Sequence, residues 1–261
     1  MQRARKRFGQ HFLHDPAVIG RIVEALQVRP GEHLVEIGPG RGALTRQLLR
    51  RLDCSFDAIE IDRDLSERLR GEFTDSRRCE LHEADALDFD FAALAARRGG
   101  RLRIIGNLPY NISTPLLFHL LGQAAAITDL HVMLQREVVA RLAAQAGTRD
   151  YGRLTLMIAP YFDVTKLFDV GPGAFQPPPR VWSAVVRLSV RPQPLFAVSP
   201  HYAAVVAAAF AHRRKTLRNA LAELLSREQI CACGVDPTAR PETLGPQGFN
   251  TLAQTLDRAR G

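Results

Sequence analysis

At 261 residues, with 46% hydrophobic and 24% charged residues, the chain has the size and composition of one α/β domain plus a small appendage, which excludes a disordered or low-complexity protein. A formal net charge of +8 favours a polyanionic partner, and arginine carries it: among 35 basic residues only Lys6, Lys166 and Lys215 are lysines. The four cysteines show no CxxC spacing, no apolar leader core follows the charged start MQRARKRFGQ, and the longest apolar stretch, Tyr202 to Ala211, is about half a membrane span; a water-soluble cytoplasmic protein with no metal and no membrane partner is expected.

Asp15 and Pro16 read as the cap and first turn of a helix that carries Val18, Ile19, Ile22, Val23 and Leu26 at helical spacing. Apolar runs of strand length follow: HLVEIG (33–38), FDAIEI (56–61), CELHEA (79–84), LRIIGN (102–107) and DLHVML (129–134). Helical segments alternate with them, among them GALTRQLLRRL (42–52), STPLLFHLLGQ (113–123) and REVVARLAAQA (136–146). This alternation predicts a mostly parallel sheet with helices on both faces. The runs VTKLFDV (164–170) and SAVVRLSV (183–190), joined through GPGAFQPPPR, predict an antiparallel hairpin at the sheet edge. Three prolines within RPQPLFAVSP (191–200) mark a boundary, so that 1–192 is expected to be the catalytic domain and 193–261 a small helical domain. YAAVVAAAFAHR, TLRNALAELLSRE and FNTLAQTLDRAR supply the helices of the latter.

The first strand runs into VEIGPGRGALT, where Gly38, Gly40 and Ala43 fit G-x-G-x-x-A between strand and helix. Glu60, twenty residues beyond Gly40, is placed to accept the hydroxyls of a ribose, and Asp85 follows the third strand, where it can meet an adenine amino group. Glu36 at the mouth of the glycine loop would repel a pyrophosphate. These acids argue for a cofactor with a cationic end, S-adenosylmethionine, over a dinucleotide.

The fourth strand ends in Asn107, Leu108, Pro109 and Tyr110, on the same crevice. The nitrogen of an exocyclic amine such as adenine N6 is planar and weakly nucleophilic. Two acceptors on its hydrogens, the Asn107 side-chain oxygen and the Leu108 carbonyl, would free its lone pair. Pro109 fixes the bend, and Tyr110 offers a face on which the base can stack. Phe175, beside Pro177, Pro178 and Pro179, is the second candidate to sandwich a flipped base, the alternative being a loop ring packed into the core. The basic clusters Arg3, Arg5, Lys6, Arg7 and Arg213, Arg214, Lys215, Arg218 are candidate nucleic-acid contacts, or solvated faces.

The chain resembles the ribosomal RNA adenine-N6 dimethyltransferase family, and within it the small-subunit (16S) type. The matching text includes RKRFGQHFLHD (5–15), VEIGPGRGALT (35–45), EADAL (83–87), NLPYNISTPLL (107–117), FQPPPRVWSAVVRL (175–188) and FAHRRKTLRNAL (210–221). The resemblance implies a Rossmann-like S-adenosylmethionine-dependent methyltransferase sheet with a helical C-terminal RNA-binding domain. It also implies that His11 and Leu13 flank the cofactor, Gly38 sits in its loop, Glu60 holds the ribose, Asp85 meets the adenine, and Asn107 closes the pocket while facing the target amine. Many members carry QNFL where this chain has QHFL, and His11 can still offer a hydrogen bond there. The implied reaction dimethylates two adjacent adenosines in the 3′-terminal hairpin of 16S rRNA within the immature 30S subunit, by a protein expected to be monomeric. The rival readings are a 23S rRNA dimethyltransferase of the macrolide-resistance type and a non-catalytic RNA-binding assembly factor.

Overall fold

A computed structural model describes residues 11–51, 55–73, 78–212 and 214–260. By internal contacts the chain divides into two compact units, Met1–Val139 with Thr165–Val190, and Ala140–Val164 with Arg191–Gly261. The last break lies between Val190 and Arg191. Residues 140–164, expected in the catalytic domain, group instead with the helical unit.

The first unit opens with β1 (Phe12–Leu13) and α1 (Pro16–Leu26), whose cap is Asp15, its Oδ1 accepting from the Ala17 and Val18 amides. Strand and helix then alternate through β2 (His33–Ile37), α2 (Ala43–Arg51), β3 (Ser55–Glu60), α3 (Arg63–Phe73), β4 (Cys79–Glu83), α4 (Phe91–Arg98), β5 (Leu102–Asn107), α5 (Ser113–Gly122) and β6 (Ile127–Gln135). After α6 (Arg136–Leu142) and α7 (Arg153–Ile158) come β7 (Phe162–Val170), β8 (Phe175–Gln176) and β9 (Ser183–Val190).

Seven strands form one sheet in the order β4-β3-β2-β5-β6-β9-β7. The first five pair in parallel, and β9 pairs antiparallel to β6. Central strands covered on both faces should be continuously apolar, and Leu34, Val35, Ile104 and Ile105 are fully buried. One exception is Arg103, 7% exposed, which spans to Asp129 opposite it on β6 with two bonds of 2.9 and 2.8 Å and also binds Glu32 and the Leu26 carbonyl. The order places β2 and β5 side by side, with β3 on the far flank of β2, so the ends of the three strands that carry the candidate residues are neighbours. Outside this sheet, β1 pairs antiparallel with β8, Leu13 opposite Phe175, a ladder that local sequence patterns do not announce.

The second unit packs α8 (Tyr202–Phe210) and α11 (Pro246–Arg260) around Tyr202, Val205, Val206, Phe249 and Leu252. The long helix expected from TLRNALAELLSRE is two short ones, α9 (Leu217–Ala220) and α10 (Arg227–Ala232), because Ser226 caps a new start by accepting from Gln229. No described helix is long and apolar enough to cross a membrane.

Candidate active site

The turn from β2 into α2 is built on glycine. Gly38 and Gly40 have φ of +67° and +57°, a region L side chains rarely adopt. The Gly38 amide donates to the Ile59 carbonyl at 2.9 Å and the Gly40 amide to Glu60 Oε2 at 3.0 Å, so the loop is tied to the end of β3. Phe12 lies against the loop, 3.1 Å from where a Cβ on Gly40 would stand, and the Arg41 guanidinium sits 4.4 Å from the Phe12 ring centroid.

Glu60 is 4% exposed, and its other oxygen accepts from the Asp62 amide at 3.0 Å. Burial pushes its pKa up against the lowering effect of the backbone bonds from Asp62 and Gly40. The carboxylate is thus held by backbone donors from Gly40, Ile61 and Asp62 while it lines the cavity. Asp85 follows β4 half-buried, with Oδ1 accepting from the Leu87 amide at 2.9 Å.

The end of β5 is placed by Gly106. A Cβ there would lie 2.5 Å from the Ile37 carbonyl oxygen, so only glycine lets the ends of β2 and β5 approach this closely. Asn107 follows, and its Nδ2 donates to the His11 carbonyl at 2.8 Å. A carbonyl can only accept, so the orientation of the amide is settled and Oδ1 is the acceptor Asn107 has left to offer. Leu108 is anchored by its amide to the Met133 carbonyl at 3.2 Å, and among the described residues no hydrogen bond takes its own carbonyl. The next two carbonyls are used locally: that of Pro109 accepts from the Ile112 amide and that of Tyr110 from Ser113 Oγ. Tyr110 is held by a 2.7 Å bond between its hydroxyl and Ser183 Oγ, and its ring lies 5.6 Å from that of His11. His11 in turn donates from Nδ1 to the Pro177 carbonyl at 2.8 Å.

These groups converge on one cavity of about 240 Å³, lined by His11, Gly38, Glu60, Asp85, Asn107 and Tyr110 together with Leu108 and Pro109. Leu13 lines a smaller adjoining cavity of about 40 Å³ with Glu36, Gly38, Asn107 and His131. Sequence reasoning missed Phe12, Ile61, Ala86 and Ser183. Ile61 is 46% exposed and lines the cavity beside Glu60; an exposed apolar residue directly after the acid of a strand end was the available signal.

Two expectations are corrected. Phe175 is 2% exposed and packs in the core with Leu13, Ile105 and Val185, because the β1–β8 ladder turns its ring inward; it presents no face to a base and lines neither cavity. Glu36 is not a fixed anion at the loop mouth. It is 2% exposed, accepts from Thr45 Oγ1 at 2.6 Å, and burial, reinforced by the neighbouring Glu60, raises its pKa from 4.5 to about 8. Its repulsion of a phosphate is therefore much reduced at neutral pH, and the acids that line the larger cavity are Glu60 and Asp85. Because the folded protein holds the Glu36 proton that the unfolded chain releases, its contribution to stability is present below pH 4.5 and is lost as pH rises through about 8. Glu36→Gln should flatten the fall in melting temperature across that window, as followed by thermal denaturation in a pH series.

Asp57, Glu80 and His82 stand close enough together to share a cation, but Arg98 donates to both acids and Arg97 to Glu80, so this cluster is already an ion-pair network. Of the second basic cluster, Arg214, Lys215 and Arg218 are exposed on the helical unit; Arg213 and the cluster at residues 3–7 lie outside the described residues. Replacing Arg214, Lys215 and Arg218 together by glutamine should weaken RNA binding and reduce its salt dependence. The slope should fall by roughly 0.7 log units per log unit of salt for each phosphate that is no longer neutralised, measured by titrations at several salt concentrations.

A family described as ribosomal RNA adenine dimethylase matches residues 1–258. The chain is 53% identical over 266 residues to ribosomal RNA small subunit methyltransferase A of Pseudomonas aeruginosa, covering 99% of this chain and 97% of that one. It is 52% identical to the protein of the same name from Nitrosococcus oceani, covering 97% and 96%. Among solved structures, the 23S rRNA methyltransferase ErmE superposes with a TM-score of 0.71 at 29% identity, covering 94% of this chain and 99% of that one. A dimethyladenosine transferase from Plasmodium falciparum gives a TM-score of 0.79 at 23% identity over 95% and 98%, a likeness of fold. The glycine loop, the acids at three strand ends and the Asn-Leu-Pro-Tyr turn thus lie within a match that spans nearly the whole chain: it belongs to the ribosomal RNA adenine dimethylase family.

Proposed function

We propose that this protein transfers methyl groups from S-adenosylmethionine to N6 of two adjacent adenosines in the 3′-terminal hairpin of 16S rRNA, during maturation of the small ribosomal subunit in the cytoplasm. The observation that carries this reading is the bond from Asn107 Nδ2 to the His11 carbonyl, which leaves Oδ1 and the Leu108 carbonyl as two acceptors on a cavity that Glu60 and Asp85 also line.

The donor set suits the adenosine of such a cofactor: Glu60 to accept from the ribose hydroxyls, Asp85 to accept from the adenine amine, and Ile61 as an apolar wall. Gly38, with Leu13 and His11 nearby, would hold the amino-acid end. When bound, S-adenosylmethionine supplies an electrophilic methyl group on a sulfonium. The chain's own part is positional. In the first transfer Asn107 Oδ1 and the Leu108 carbonyl accept the two hydrogens of the target amine and draw its lone pair out of the ring; the methylated nitrogen then releases one proton to solvent, and in the second transfer one of the acceptors holds the hydrogen that remains. Pro109 and the Leu108 side chain, 1% exposed, keep the turn rigid, and Tyr110, pinned by Ser183, supports the base. Alignment of this kind is worth several orders of magnitude in rate without an acid or base at the reacting atoms.

The small-subunit target is favoured over the large by the identity above 50% to relatives of that name across nearly their full length, against 29% to the 23S enzyme. Mass analysis of rRNA from cells with and without the gene tests this reading. Loss of dimethyladenosine from the 16S 3′-terminal hairpin alone is expected, and loss from 23S rRNA instead would overturn it.

A further inference from the structure

The chain has one tryptophan, Trp182, and it is 49% exposed. A half-exposed indole keeps a face open to stacking, and what surrounds it decides what that face can take. Trp182 immediately precedes Ser183, the first residue of β9, and the Ser183 hydroxyl is bonded to that of Tyr110. The indole rests against Gly171, where a Cβ would stand 3.6 Å from Cη2, and the Trp182 carbonyl accepts from the Arg136 amide at 2.9 Å. The Arg136 guanidinium lies 5.9 Å from the ring centroid, and both Arg136 and Arg180, two residues before Trp182, are exposed. A supported aromatic ring flanked by cations is the arrangement that takes the base and the phosphates of single-stranded nucleic acid.

We propose that Trp182 is a second base platform, which stacks on the unpaired nucleotide next to the target adenosine while Arg136 and Arg180 meet its phosphates. The platform is joined through Ser183 to Tyr110, which lines the cavity, and it holds the neighbouring nucleotide in place so that the target base enters in register. Its role is positioning of the RNA, without contact to the cofactor. The proposal takes the identity of the RNA from the function proposed above. The platform itself stands on geometry and charge.

Because Trp182 is the sole tryptophan, its fluorescence reports this place alone. Titrating the whole protein with a short single-stranded oligoadenylate should quench that emission, and a duplex of equal length should quench it far less. Trp182→Ala should raise the KM for immature small-subunit particles roughly tenfold, the size of one stacking contact, with kcat, cofactor affinity and melting temperature close to those of the wild type. Trp182→Phe should restore most of the loss. Emission indifferent to single-stranded RNA, or a Trp182→Ala protein with unchanged KM, would overturn the proposal. Wild-type protein that is quenched by RNA yet methylates no small-subunit RNA would instead overturn the function proposed above and leave the platform standing.

Discussion

Asn107→Ala should lower kcat by roughly 10²–10³-fold, the range seen when one preorganised hydrogen-bonding group at a reacting centre is removed, while RNA binding changes little. The substitution deletes Oδ1, one of the two acceptors proposed for the target amine. It also deletes the Nδ2 bond to the His11 carbonyl, which ties the N-terminal strand to the end of β5. The two losses can be separated. Asn107→Asp retains an acceptor but sets a carboxylate oxygen against the His11 carbonyl, so it should damage cofactor affinity more than alanine does. Single-turnover kinetics with a labelled methyl donor, beside cofactor titrations, would distinguish them. Near-normal turnover in Asn107→Ala would remove the amide from the reaction.

Gly106→Ala should be strongly damaging, because the methyl it adds runs into backbone. The added Cβ would meet the Ile37 carbonyl at 2.5 Å and Leu108 Cδ2 at 3.1 Å. The first of these is backbone, so relief requires β2 and β5 to part where Gly38 and Asn107 face each other. Overpacking of this kind costs about 1–3 kcal/mol, more where backbone must move, and a fall in melting temperature of about 5 °C or more is expected. Cofactor affinity should fall with it, since the glycine loop and the Asn107 turn would separate. Gly20→Ala is the matching control: it lies within α1 with nothing within 4 Å of its Cβ position, and the change should leave stability equal or improve it by about 0.5–1 kcal/mol. Calorimetry of the two variants side by side checks both statements.

Much of the site was legible in the sequence because strands print their ends. A buried parallel strand must be apolar along its length, so the first polar residue or glycine after each run marks the edge where ligands bind. Gly38, Glu60, Asp85 and Asn107 all stand at such edges, and the structure brings them to one cavity. What stayed hidden depends on packing between distant segments. Nothing local in GPGAFQPPPR says whether the Phe175 ring points out or in; pairing with Leu13, far away in sequence, turns it in. The charge of Glu36 is likewise decided by complete burial, and its sequence context alone reads as an anion. The alternating pattern also could not show that residues 140–164 belong with the helical unit, since packing partners, and not periodicity, decide membership. Gly106 reads in sequence as part of an apolar strand, and only the distance to Ile37 shows that it permits the site to form.

Methylation of adenosine N6 in small-subunit RNA is the reaction proposed for this cavity. Purified protein incubated with immature small-subunit particles and a labelled methyl donor tests it most directly. Incorporation as N6,N6-dimethyladenosine at the two adjacent adenosines of the 3′-terminal hairpin, abolished by Asn107→Ala, is the expected result. Label that appears only in large-subunit RNA, or equal incorporation by the Asn107→Ala protein, would contradict it.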